Sequence, residues 1–253
     1  MTDKHLSSQF DGELNQVSTR VMELGGLVES QIRQAIEALS RFSLEAAGQV
    51  EALEQRVNTM EVEIDHELTT IIARRQPTAR DLRLLMAFSK ATNNLERMGD
   101  EATRMARMTR SIIESGAARA LPASELRVAA DLASGLLRKA LDAFARLDTG
   151  AAVAILREDD LIDREFDGFV RKLITYMMED ARTISASLDL LFLAKSIERI
   201  GDHSKNIAEL IIYLVEGRDV RHAALAEIET VVSQEAHSPE PRPFHTTRPG
   251  PLT

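Results

Sequence analysis

Residues 95–100 read Leu-Glu-Arg-Met-Gly-Asp, and residues 197–202 read Ile-Glu-Arg-Ile-Gly-Asp. The two copies lie 102 positions apart, and the same offset relates Ala38-Leu39 to Ala140-Leu141. Around each copy, apolar residues recur at three- and four-residue spacing, which predicts amphipathic helix. The doubled stretch therefore predicts a chain made of two similar helical halves.

Six long helices are predicted between the points where Pro77 and Pro122 break the helical pattern. Ala, Leu, Ile, Glu and Arg dominate the sequence, and these residues form or tolerate helix. The predicted spans are 8–41, 44–75, 78–114, 122–147, 151–180 and 183–216. Long helices with short connections pack as antiparallel neighbours. The predicted fold is all-α, with two tandem, pseudo-repeated three-helix bundles.

The predicted division of the chain follows these breaks. Residues 1–118 form the first three-helix bundle, residues 119–218 the second, and residues 219–253 a proline-rich tail. Five of the seven prolines fall in the last fifteen residues, where apolar periodicity is absent. Such composition is typical of disorder, so the tail is predicted to be disordered.

Composition narrows the class of function. The net charge of −9 disfavours nucleic-acid binding, and the absence of cysteine excludes disulfides and thiolate metal sites. No apolar run approaches the roughly 18 residues that a membrane-spanning helix needs. The start, Met-Thr-Asp-Lys-His, lacks the apolar core of a signal peptide. We expect a cytoplasmic protein.

Paired carboxylates are the main candidate site. Residues four apart share one helix face, so Glu96 lies with Asp100 and Glu198 with Asp202. With the same 102-residue offset, the preceding helix of each half supplies a second pair: Glu61 with Asp65, and Asp163 with Asp167. Partly buried carboxylates are costly unless they are paired. Pairing with arginine is one solution, and a bound hard cation such as Mg²⁺, Mn²⁺, Ca²⁺ or Fe³⁺ is another.

These motifs resemble the PhoU family of phosphate-transport regulators over residues 8–217. The resemblance implies metal clusters of the iron or zinc type, homodimerisation and no enzymatic activity. By the resemblance, the first site would comprise Glu61, Asp65, Glu96 and Asp100, and the second Asp163, Asp167, Glu198 and Asp202. The family motif often continues with Asn, which Asn206 matches, whereas the first half has Arg104. We therefore expect the second site to be the better one for metal.

The resemblance also implies a role and partners. The protein would be a negative regulator of phosphate uptake and of the phosphate-starvation response. It would bind the ATPase subunit of the phosphate ABC transporter and the phosphate sensor histidine kinase. It would thus reach the membrane only through these partners.

Two other functions remain open from the residues. A ferritin-like di-iron carboxylate oxidase or a metal-storage protein would need repeated Glu-x-x-His motifs. Glu63 and His66 match that motif once, but Gly168 stands at the corresponding place in the second half. The other alternative is a helical scaffold without a site, which leaves the carboxylate pairs unexplained. Phosphate-binding loops and nucleophile elbows are both missing from the sequence.

Overall fold

The computed structural model describes residues 3–116, 118 and 121–235, and within these residues it contains seven α-helices and no strand. The helices are α1 (Asp3–Arg41), α2 (Leu44–Arg75), α3 (Ala79–Glu114), α4 (Leu126–Arg146), α5 (Thr149–Glu179), α6 (Ile184–Glu216) and α7 (Leu225–Glu235). The all-α prediction is confirmed. The six predicted helices match α1 to α6, and their ends differ by at most a few residues.

Each half packs as a bundle of three helices. Helices α1, α2 and α3 contact one another, and so do α4, α5 and α6. The broadest helix–helix contact joins α3 to α6, so the two signature-bearing helices form the seam between the bundles. Leu95, Met98, Ile197 and Ile200 on these helices are at most 1% exposed. The apolar stripe around the signature is therefore the core of the molecule.

The turns between the first two helices of each half are built alike. Phe42 and Leu147 end α1 and α4 in the left-handed region, with φ of 48° and 51°. The next residues, Ser43 and Asp148, cap α2 and α5, and each side chain accepts a hydrogen bond from the backbone N–H three residues later. These turns lie 105 positions apart. The 102-residue offset is therefore wrong for the turns that precede α2 and α5, although it holds along α3 and α6.

Helix α7 was not predicted. Its Ile228 is 4% exposed and packs in the core, and Glu229 pairs with Arg157 of α5 at 2.7 Å. The prediction of a disordered tail over 219–253 is therefore wrong for residues 225–235. Residues 236–253, which hold five prolines, lie outside the described residues. None of the described helices combines the length and apolar character that a bilayer crossing requires.

The contact between α1 and α4 depends on Gly25, and its neighbour Gly26 offers a matched control. A Cβ on Gly25 would lie 2.4 Å from Cδ2 of Leu141, whereas a Cβ on Gly26 would meet nothing within 4 Å. We expect Gly25→Ala to lower the free energy of unfolding by about 1 kcal/mol, because overpacking outweighs the gain in helix propensity. Gly26→Ala should raise it by about 0.5–1 kcal/mol. Urea unfolding of both variants tests this, and equal effects would contradict the close packing at Leu141.

Candidate functional site

The seam between α3 and α6 positions the signature residues of both halves. Glu101 of α3 is buried, and its carboxylate accepts hydrogen bonds from Ser196 Oγ at 2.7 Å and from Arg199 Nη1 at 2.9 Å. At the matching place on the other side, His203 Nδ1 lies 3.0 Å from Asn94 Oδ1. Positions 94 and 101 correspond to 196 and 203 at the 102-residue offset. The seam therefore has approximate twofold symmetry, but one side is an ion pair and the other is a hydrogen bond to histidine.

Asn206 belongs to this seam. Its Nδ2 donates to Asn94 Oδ1 at 3.1 Å, the same oxygen that His203 contacts. The predicted role of Asn206 as a metal ligand is not supported by this arrangement, because its amide is bonded to the opposite bundle. Burial and the charge of Arg97 lower the pKa of the neighbouring His203.

Four carboxylates face one another between α5 and α6, and we call them the second cluster: Asp159, Asp163, Glu198 and Asp202. The helices approach closely here, because a Cβ on Gly201 would lie 2.8 Å from Ile162 Cδ1 and 3.3 Å from Asp159 Oδ1. Burial, followed by the charges of Glu198, Asp159 and Asp163, raises the pKa of Asp202 to about 6. The structure thus brings together three of the four residues predicted for the second site and adds Asp159.

Two lysines lie within the second cluster. Lys195 Nζ donates to Glu198 Oε1 at 2.6 Å, and it also lies 5.2 Å from the centre of the Phe166 ring. Lys205 Nζ lies 3.0 Å from Asp159 Oδ2, and the Asp159 side chain is only 2% exposed. Glu198 Oε2 is buried without a hydrogen-bond partner. The cluster is therefore neutralised in part by the chain itself.

The corresponding residues between α2 and α3 form the first cluster: Glu54, Glu61, Glu96 and Asp100. A Cβ on Gly99 would lie 3.2 Å from Val57 Cγ1 and 3.4 Å from Glu54 Oε2, so the helices are close here too. Burial, then Asp100 and Glu61, raises the pKa of Glu96. Burial, then the charge and hydrogen bonding of Glu54, raises the pKa of Asp100, and Arg104 opposes this shift. These four carboxylates therefore interact as one group.

A buried polar network lies behind the first cluster. Gln31 is fully buried, and its Nε2 donates to Glu54 Oε2 at 2.7 Å and to Thr103 Oγ1 at 3.1 Å. Thr103 Oγ1 in turn donates to the same Glu54 oxygen at 3.0 Å. Gln31 Oε1 has no hydrogen-bond partner and would lie 2.9 Å from a Cβ on Gly99. Position 205, which corresponds to Thr103, is the lysine of the second cluster.

The two clusters show where the predicted ligand pairs need correction. Val57 and Ile162 both pack on the signature glycines, and Glu54 and Asp159 lie beside them. These pairs are 105 positions apart, so Asn58 corresponds to Asp163. The predicted match of Glu61 to Asp163 is therefore wrong by three residues. The cap residues Ser43 and Asp148, which share the 105-residue offset, are the signal that would have revealed it.

Asp65 and Asp167 lie at the margins of the clusters. Both are exposed; Asp65 Oδ1 accepts a hydrogen bond from Ser89 Oγ at 3.4 Å. Asp65 still acts on the first cluster, since burial and then its charge raise the pKa of Glu61. None of the interactions found for Asp167 joins its carboxylate to the second cluster. Their replacements at the centre of the clusters are Glu54 and Asp159.

The chemistry available to the clusters is cation binding by oxygen donors. In the part of the chain that the structure describes, no three histidine, aspartate or glutamate side chains converge closely enough to hold one ion. The donor set nevertheless fits a hard cation, because Glu198 Oε2 and Gln31 Oε1 are buried acceptors without partners. The di-iron alternative loses its motif: Glu63 pairs with Arg20, and His66 lies exposed on the same helix.

Comparison with known proteins identifies the relatives of this chain. The PhoU domain model matches residues 21–109 and 126–211, one segment in each half. A phosphate-specific transport system accessory protein PhoU homolog of Burkholderia sp is 50% identical over 223 residues, which cover 88% of this chain and 95% of that protein. The Escherichia coli (strain K12) protein of this name is 44% identical over 232 residues, covering 91% and 95% of the two chains.

Solved structures agree with the sequence matches. The crystal structure of PhoU from Pseudomonas aeruginosa has a TM-score of 0.80 and 43% identity, and the match covers 83% of this chain and 100% of that one. The phosphate transport system regulatory protein PhoU from Streptococcus pneumoniae has a TM-score of 0.77 and 26% identity, with 83% and 99% covered.

Proposed function

This chain belongs to the PhoU family, and on that premise we propose that it is a negative regulator of phosphate uptake and of the phosphate-starvation response. The observation that carries the proposal is the double match of the PhoU domain, one copy in each bundle. It is joined by 50% identity over nearly the full length of a relative named as an accessory protein of phosphate-specific transport.

The proposed mechanism is binding without chemistry. Two rigid bundles, joined along the seam of α3 and α6, present an acidic cluster on each half. A cation bound to such a cluster would neutralise the carboxylates and order their side chains, so that each face offers one defined surface to a partner. The proposed partners are the ATPase subunit of the phosphate ABC transporter and the phosphate sensor histidine kinase. The proposal includes a cytoplasmic homodimer.

Metal binding is part of the proposal. Iron, zinc, manganese or magnesium are the ions considered, and oxygen donors without histidine or cysteine favour the harder ions among them. Glu96 and Asp100 would serve the first half, with Glu54 and Glu61 across from them on α2. Asp163, Glu198 and Asp202 would serve the second half, together with Asp159. A bound ion would supply positive charge, and these side chains would orient it.

Deletion of the gene tests the regulatory role. We expect a phosphate-responsive reporter to rise several-fold in phosphate-rich medium when the gene is deleted, because the response is no longer held off. The intact gene on a plasmid should restore repression. A variant with Gly26→Ala, which leaves both clusters intact, is the matched control and should restore it equally. An unchanged reporter in the deletion strain would contradict the proposed function.

A further inference from the structure

The two acidic clusters differ in how their charge is balanced. In the second cluster, Lys195 and Lys205 contact Glu198 and Asp159 at 2.6 and 3.0 Å. Across the described residues, no lysine or arginine nitrogen lies within 4.0 Å of a carboxylate of the first cluster in the ion pairs found. Its four acids must therefore be balanced from outside the chain or stay partly protonated.

The lysines of the second cluster are held in place by more than attraction. Lys195 lies over the ring of Phe166, the residue that corresponds to Glu61 at the 105-residue offset. Lys205 pairs with Asp159, which is 2% exposed, so removing the lysine would leave a buried carboxylate without its partner. An incoming cation must displace both ammonium groups. This competition disfavours metal in the second half.

The first cluster shows the opposite demand. Gln31 Oε1 is fully buried, has no partner, and is aimed at the space beside Gly99 that a side chain would fill. A buried carbonyl oxygen without a donor is unusual and is satisfied by water or by an ion. The nearest arginines of α3, Arg97 and Arg104, are both exposed. Arg104 lies 3.8 Å from Glu101, which draws it toward the seam.

We infer that the second cluster is charge-balanced by its own Lys195 and Lys205, whereas the first cluster takes a hard divalent cation from solution. Gln31 is the positioning residue there, with its oxygen accepting from a water of the ion or contacting the ion itself. The inference rests on the metal-binding part of the proposed function. It reverses the sequence expectation, in which Arg104 and Asn206 made the second site the better one.

Titration of the purified, chelator-treated chain with Mn²⁺ tests this, with calorimetry for affinity and electron paramagnetic resonance for coordination. We expect one principal Mn²⁺ site. Glu54→Gln and Asp100→Asn should each weaken it about 10- to 100-fold, and Asp163→Asn should change it less than about 2-fold. Circular dichroism of each variant verifies that it is folded. Gln31→Leu should alter the resonance signal as well as the affinity, which a merely structural role would not do.

Removing the lysines is the decisive arm. The double variant Lys195→Met, Lys205→Met should gain a second Mn²⁺ site, and Asp163→Asn in that background should remove it. Lys139→Met is the matched control, since Lys139 forms an exposed pair with Glu158 in the same half. Two equal sites in the unaltered chain would overturn the inference while leaving metal binding in place. No Mn²⁺ binding in any variant would overturn both the inference and the metal part of the proposed function.

Discussion

Replacing Arg199 with methionine is expected to lower the free energy of unfolding by about 2 kcal/mol. Arg199 donates to Glu101 at 2.9 Å, and the Glu101 side chain is 8% exposed at the centre of the seam between α3 and α6. Removing one partner of a fully buried pair costs about 3–5 kcal/mol, because the other charge is left unpaired. The Arg199 side chain is 43% exposed and Ser196 still donates to Glu101, so the loss should be smaller.

The approximate symmetry of the seam supplies the control. Arg97 occupies the position that corresponds to Arg199, but its Nε contacts only Asn93 Oδ1 at 3.3 Å on an exposed surface. Arg97→Met should therefore change stability by less than about 0.5 kcal/mol. Urea unfolding of both variants at pH 7 measures the difference. If the two variants differ by less than about 0.5 kcal/mol, the pair at Glu101 does not hold the two bundles together.

The long helices were predictable because each carries its own periodic signal. Helix α2, for example, was predicted to the residue, since Ser43 caps its start and Pro77 stops its pattern. Helix α7 was missed, although Leu225, Ile228 and Val232 have helical spacing. At 11 residues it is too short to be stable alone, and its stability comes from Ile228 packing in the core. That contact is not readable from local sequence.

The candidate site was predictable on α3 and α6 but not on the helices that face them. The signature itself sets the offset of 102 residues, so Glu96, Asp100, Glu198 and Asp202 were placed correctly. Between α2 and α5 the true offset is 105 residues. A slip of three residues turns a helix by about 300°, which leaves the apolar face within about 60° of its true direction. The apolar pattern therefore fits both offsets, and only the turns at Ser43 and Asp148 distinguish them.

Replacing Asp202 with asparagine is expected to stabilise the metal-free protein at pH 7.5 by about 1–2 kcal/mol. The pKa of Asp202 is raised from the ordinary 3.8 to about 6, first by burial and then by Glu198, Asp159 and Asp163. A shift of this size corresponds to roughly 3 kcal/mol for a fully buried group, and the partly exposed carboxylate should give about half of that. Asparagine resembles the protonated acid and avoids the repulsion.

The pH dependence of this effect has a definite sign. Because the folded protein holds the Asp202 proton more tightly than the unfolded chain, protonation favours the folded state below about pH 4, and this contribution is lost as the pH rises through about 6. The gain from Asp202→Asn should therefore shrink to nearly zero at pH 4. Urea unfolding with chelator at pH 4, 5.5 and 7.5 measures it, with Asp131→Asn on the exposed face of α4 as the control. A loss of stability at pH 7.5 would mean that the lysines already neutralise Asp202, because an ionised and repelled carboxylate cannot be better than its amide.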